Sequence, residues 1–309
     1  MIPFIFKKYI LNNIYMKKAI ILHSFPFHYE MLGSVLHYFS EYTIDILSLE
    51  DHYWNRIYSK LYKNYKCIPA VIHTDYDLCI LPTDDDKTMC DVYRKFFLGK
   101  PVYIINHIKN THRSTIPDEY KKCIDIHGIQ NPLQPFHFCG YKYTSAEDKL
   151  GLLSQRVSVA IVGDIINRER FFFKELFNRF TNFKDIDFYV INRWPSRWKM
   201  DFPNVYYRIN CNTEEMFNIL EKCHYMYFFA SSQTKTTCSG CFGLAYSTLC
   251  RMLCSTDRKE QYEIESPLFE NMESKITLAP VSKEDIEMVE KERDLLISKT
   301  NGFISEILK

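Results

Sequence analysis

The chain has 309 residues, 46% apolar and 25% charged, with a formal net charge of +1. At about 150 residues per domain this length suits two cores, and the composition excludes a largely disordered chain. A net charge so near zero argues against nucleic acid as a partner, because neutralising phosphates requires a surplus of Lys and Arg.

The opening stretch MIPFIFKKYILNNIYMKK is interrupted by Lys7, Lys8, Lys17 and Lys18, well short of the ~20 consecutive apolar residues of a membrane helix. Its apolar part is broken and no small-residue cleavage site follows, so a signal peptide is not expected. Residues 1–15 read as an N-terminal extension that is either solvated or in contact with a membrane surface. Eleven cysteines without an export signal point to free thiols in a reducing compartment. The expected localisation is cytoplasmic, with peripheral membrane association through the extension as the alternative.

From Met16 onward, short apolar runs alternate with helical periodicity. AIIL (19–22) is a continuous apolar run suited to a strand buried on both faces. Leu32, Val35, Leu36 and Phe39 then fall at i, i+3, i+4 and i+7, one stripe of a helix. TIDIL (43–47), DLCILP (78–83) and PVYIIN (101–106) are further strands, and the helix DKTMCDVYRKFFLG between the last two is expected to end at Gly99. Such βαβ order implies a parallel sheet with helices on its faces. The polar stretch after Gly128, Pro132, Pro135 and Gly140 places an inter-domain linker near 143–155.

The same grammar restarts with VSVAIVG (157–163), the helix NRERFFFKELFNRF, IDFYVIN (186–192) and NVYYRI (204–209). A helix opens at Thr213 with Glu214 and Glu215 in its first turn, where carboxylates complement the dipole. YMYFFA (225–230) follows, and SKEDIEMVEKERDLLISKTNGFISEILK closes the chain as a helix carrying Ile286, Val289 and Leu296 on one face. The expected divisions are an extension (1–15), a first Rossmann-like domain (16–150), a second (151–280) and a C-terminal helix (281–309) packing near the domain junction.

TTCSGCFGLAYSTLCRMLCS (236–255) admits three readings. Zinc binding by Cys238, Cys241, Cys250 and Cys254 is disfavoured, because only eight residues, with helical character, separate the two pairs. A membrane hairpin fails on length and on Lys235 and Arg251. The third reading is a small-residue helix start after a strand, where backbone N–H groups and the dipole hold a phosphate or diphosphate. A small-residue helix packed tightly on a sheet is the structural alternative.

The order from residue 157 to 255, with its Ser-rich loop and SGCFGLAYS, resembles the C-terminal half of glycosyltransferases of the GT-B architecture, built from two Rossmann-like domains. The resemblance implies an α/β fold with two parallel sheets facing a central cleft. It also implies a hexosyltransferase-type enzyme that moves sugar from a nucleotide-sugar donor, a UDP- or GDP-sugar, to a hydroxyl on a glycan, lipid or protein, with no cofactor. The two Glu residues seven apart that mark retaining members around this helix are absent, with Cys241 and Leu249 in that neighbourhood.

By the same resemblance, Ser231, Ser232, Ser239, Gly240 and Cys241 would hold the donor diphosphate, Gly163 after the first strand of this half would let the backbone turn near the donor, Asp164 would hydrogen-bond a donor or acceptor hydroxyl, and Arg193 would be a phosphate partner. The first half would hold the acceptor and a general base. His28 and Glu30 follow its first strand, while His107, His112 and Arg113 follow PVYII, at the strand ends where α/β sheets place ligands. His28 suits a base working near neutral pH, with Glu30 and His112 as the other catalytic candidates. His107 and His112 lie five apart, off a metal-binding helix ladder, and TDDDK (83–87) reads as a helix N-cap, so no metal is inferred. A non-catalytic binding or scaffold protein and a pyruvyl-type glycan transferase are the alternatives, because a scaffold does not determine its chemistry.

Overall fold

The computed structural model describes residues 17–24, 29–47, 66–68, 70–83, 86–106, 115–125, 143–162, 170–192, 200–209, 211, 213–228, 240–254, 269–271 and 274–307. The chain divides into two compact units. The first ends at Ile126 and the second runs from Tyr141 to the C-terminus, with short pieces of 127–140 assigned to either.

The first unit contains β1 (Lys18–Leu22), α1 (Tyr29–Tyr38), β2 (Thr43–Leu47), β3 (Lys66–Ile68), β4 (Leu78–Leu81), α2 (Lys87–Phe96), β5 (Val102–Asn106) and β6 (Lys121–Asp125). Its six strands are ordered β3-β2-β1-β4-β5-β6, and every pairing is parallel. Ala19 to Leu22 and Leu78 to Leu81 are buried, as continuous apolar runs in a sheet covered on both faces must be. The stripe Leu32, Val35, Leu36 and Phe39 is buried. Helix α2 stops at Phe96, and Gly99 lies in the turn beyond it at φ +94°, a conformation that glycine adopts without steric cost.

The second unit repeats the pattern with β7 (Val157–Val162), α4 (Arg170–Arg179), β8 (Ile186–Asn192), β9 (Val205–Ile209), α5 (Thr213–Leu220), β10 (Tyr225–Phe228), α6 (Gly240–Thr248), β11 (Arg251–Cys254), β12 (Phe269–Asn271) and α7 (Lys283–Ile307), preceded by α3 (Ala146–Leu152). Its sheet reads β9-β8-β7-β10-β11-β12, all parallel, which matches the first sheet strand for strand. Both are Rossmann-like sheets, whose order reverses between β1 and β4 and between β7 and β10. Phe177, Phe183, Phe188 and Phe202 interlock beside β8, each adding apolar area to the core.

The linker expected at 143–155 is corrected. Residues Ala146–Leu152 form α3, and this segment belongs to the second unit, so the division falls before 143 and not at 150. Ser145 caps the helix by accepting from the Asp148 N–H at 3.0 Å, and the fully buried Lys149 pins it to the core. A polar sequence therefore conceals a docked helix. The C-terminal helix α7 buries Ile286, Val289, Arg293, Leu296, Thr300 and Ile304 and packs on α3 and α6 of its own unit. Among the described residues, no helix is long and apolar enough to cross a membrane.

Candidate functional site

In a doubly wound sheet the ligand crevice lies beyond the carboxyl ends of the strands, at the point where the order reverses. In the second unit that point is flanked by β7 and β10, with β8 alongside. Gly163 and Asp164 directly follow β7, Arg193 directly follows β8, and Ser231 and Ser232 come shortly after β10. Topology thus brings the strands that lead into these residues side by side. The residues themselves, and Ser239, lie outside the described set. Gly240 and Cys241 are the first two residues of α6.

The first N–H groups of a helix have no partner within it and stand at the positive end of its dipole. Helix α6 offers such a terminus on the chain between β10 and β11. Residues 242–250 are buried throughout. Ser247 and Thr248 return their hydroxyls to the Gly243 and Leu244 carbonyls, each at 2.8 Å, so these polar side chains are satisfied inside the core. Leu249 adopts a left-handed φ of 51° while the Cys250 N–H reaches the Ala245 carbonyl at 3.0 Å, a tight helix stop that sends the chain into β11.

Several buried polar groups of the second unit resemble catalytic residues by type but sit at the opposite, amino ends of the strands. Ser158 is the second residue of β7 and His224 immediately precedes β10. The Ser158 N–H donates to His224 Nδ1 at 3.2 Å, which places the imidazole proton on Nε2. Burial, reinforced by the nearby Lys149, lowers the His224 pKa to about 4. Lys149 donates to the Leu220 and Cys223 carbonyls at 3.0 and 2.6 Å and meets Cys250 Sγ at 3.4 Å. These groups close the sheet at the end away from the crevice, through partners too far apart in the chain for local pattern to show.

Cys250 precedes β11 and Cys254 ends it, so four residues of strand separate their Cα atoms by roughly 13 Å. One zinc with sulfur ligands at about 2.3 Å does not bridge that span. Cys250 instead donates to the Leu220 carbonyl at 3.1 Å. Among the described residues, no group of three His, Cys, Asp or Glu is placed to hold a metal.

In the first unit, β1 runs out at Leu22 into the buried His23 and the partly exposed Ser24. The Ser24 N–H and Oγ both donate to Asp86 Oδ2, at 3.0 and 2.6 Å, while Asp86 Oδ1 accepts from the Met89 N–H at 3.0 Å. Asp86 is 1% exposed and caps α2, so it ties the end of β1 to the helix that follows β4. This agrees with the N-cap reading of TDDDK. The further bond to Ser24 joins positions 62 apart and is invisible to local pattern. Glu30 is the second residue of α1; His28, His107, His112 and Arg113 lie outside the described residues.

No protein-family model and no curated protein matches the chain. Solved structures do. HepE from Anabaena, solved in complex with UDP-glucose, aligns with a TM-score of 0.56 at 10% identity over 94% of this chain and 99% of its own. The glycotransferase of kitacinnamycin aligns at 0.55 with 9% identity over 94% and 98%, and Acinetobacter baumannii MurG at 0.50 with 10% identity over 94% and 99%. Two Rossmann-like sheets with one shared strand order, together with alignments that span nearly the full length of these proteins, give the chain the fold of the GT-B glycosyltransferases.

Proposed function

We propose that the protein is a glycosyltransferase that moves a hexosyl group from a UDP- or GDP-sugar to a hydroxyl on a glycan, lipid or protein. The observation that carries this reading is the start of α6 at Gly240, on the chain that leaves β10 at the reversal point of the second sheet, in a GT-B fold. A diphosphate there meets unpaired amide hydrogens and the positive end of the dipole. Ser231, Ser232, Ser239 and Cys241 are assigned to the same cradle, Gly163 to a backbone turn near the donor, Asp164 to a hydrogen bond with a donor or acceptor hydroxyl, and Arg193 to the charge that builds on the leaving diphosphate. The first unit takes the acceptor, with His28 as base and Glu30 and His112 as the other candidates for proton transfer or orientation. HepE was solved with UDP-glucose, which supports a nucleotide-sugar donor. The free thiols of Cys79, Cys90, Cys123, Cys211, Cys223, Cys250 and Cys254 support a cytoplasmic setting.

A binding protein without transferase activity is favoured by one observation. Where retaining relatives carry the second of their two Glu residues, the neighbourhood here holds Leu249, fully buried at the end of α6. Thermal unfolding with millimolar UDP or GDP tests the donor site, because a ligand at about 100 times its Kd stabilises by roughly 2.7 kcal/mol. A raised midpoint with one nucleotide supports the site, and no shift with either removes it. Turnover of the corresponding nucleotide sugar across an acceptor panel then separates enzyme from binding protein.

A further inference from the structure

We infer that Arg293 is a positioning residue for helix α6 and acts on it through Thr144. The inference rests on the reading of α6 as the diphosphate-binding helix. Arg293 lies on α7, is 4% exposed, and donates from Nη1 to the Thr144 carbonyl at 2.7 Å. Its guanidinium lies 5.0 Å from the centre of the Tyr143 ring, its Nε is 3.1 Å from Asp294 Oδ1, and its Nη2 is 3.5 Å from Glu290 Oε1. Glu290 in turn accepts the Ala146 N–H at 2.9 Å. One turn of α7 thereby fixes both the carbonyl of Thr144 and the N–H of Ala146.

Thr144 passes this restraint onward. Its N–H donates to the Ser247 carbonyl at 3.0 Å, in the last turn of α6, and its Oγ1 donates to Glu221 Oε1 at 3.0 Å just beyond α5. Tyr246 of α6 also lies near Glu292 of α7: burial first, and then this carboxylate, raises the tyrosine pKa well above its ordinary value. Helix α6 therefore has its carboxyl end bolted to the helix that packs along it.

The anchor matters because α6 has little rigidity of its own. Its sequence GCFGLAYST contains no charged side chain, two glycines, and a Ser–Thr pair at its end, all weak contributions to intrinsic helix stability. At 1.5 Å per residue it is about 13 Å long, so the restraint at its far end adds to the core packing of residues 242–248 in setting its axial position. A displacement of that end is carried to the amide hydrogens at Gly240. Arg293 touches no ligand in this scheme and sets the place of the groups that do.

Calorimetric titration of wild type, Arg293→Gln and Arg293→Lys with UDP and GDP, and with uridine and guanosine by competition, tests the inference. Loss of one well-aligned bond to a charged ligand is worth about tenfold in affinity, so Arg293→Gln is expected to weaken the nucleotide that wild type binds by about that factor. Its affinity for the matching nucleoside, which has no phosphate to feel the helix end, should stay within about twofold. Arg293→Lys keeps a donor without the planar fork and should fall between. It also serves as the working variant if Arg293→Gln does not fold. An unchanged diphosphate affinity, or an equal loss for nucleotide and nucleoside, overturns the inference while leaving the donor site standing. If wild type binds neither nucleotide, the reading of α6 fails and this inference fails with it.

Discussion

Replacing Lys149 by methionine tests how the second unit is held together. The side chain is fully buried and, among the described residues, the partners of its ammonium are the Leu220 and Cys223 carbonyls and Cys250 Sγ, with no carboxylate. Leu220 is the last residue of α5, so the lysine adds a donor to the carbonyls at and just beyond the helix end. Methionine fills nearly the same space but donates nothing. A buried carbonyl left short of a donor costs about 1–3 kcal/mol; the Leu220 carbonyl keeps the Cys223 N–H at 3.0 Å, so the loss falls mainly on the Cys223 carbonyl. Part of this is returned because an ammonium no longer has to be stripped of water, and Cys250 still donates to Leu220. The expected net loss is about 1–3 kcal/mol, equivalent to roughly 5- to 160-fold faster exchange of amides that open with the whole unit. Hydrogen exchange by mass spectrometry should show this in peptides covering α5, β10 and β11, with those of β4, α2 and β5 in the first unit unchanged. Equal or greater stability of Lys149→Met would refute the reasoning, because desolvation of the ammonium would then outweigh its hydrogen bonds.

His224 gives the second unit an acid-sensitive joint. Its folded pKa of about 4 lies below the unfolded value near 6.5, so the unfolded chain binds the extra proton. The contribution is complete above pH 6.5 and is lost as pH falls toward 4, by at most about 3 kcal/mol. Urea midpoints of wild type should drop over that window, and those of His224→Gln should be flatter; parallel curves would contradict the assignment. Asp86→Ala removes the cap on Met89 and both bonds from Ser24, an expected loss of about 2–3 kcal/mol in the first unit. Asp86→Asn keeps an acceptor at the cap and should lose less; equal losses in urea unfolding would show that the carboxylate acts by charge alone.

The central strands were legible in the sequence because a parallel sheet buries both faces, and runs such as AIIL and VSVAIV then carry no polar residue to blur them. Of the four outermost strands β9 was legible, whereas β3, β6 and β12 were not. Strand β6, KKCID, exposes Lys122 and Cys123 and buries Ile124, and such an edge strand reads as loop. The segment TSAEDK looked like a linker for the same reason, since its polarity caps a helix whose burial depends on Lys149 reaching carbonyls 71 and 74 residues away. In α7 the apolar stripe was visible, but Arg293 within it was not, because a buried guanidinium is defined by partners such as Thr144, 149 residues away. For the candidate site, the strand ends leading to Asp164, Arg193 and Ser231 could be read from the βαβ grammar. The roles of those residues could not, because they depend on geometry about a ligand.

The most direct test of the central claim is a crystal structure with UDP or GDP bound. The account predicts a phosphate oxygen within hydrogen-bonding distance of an amide in the first turn of α6, at Gly240 or Cys241. A nucleotide bound elsewhere, or side chains filling the space before Gly240, would contradict it.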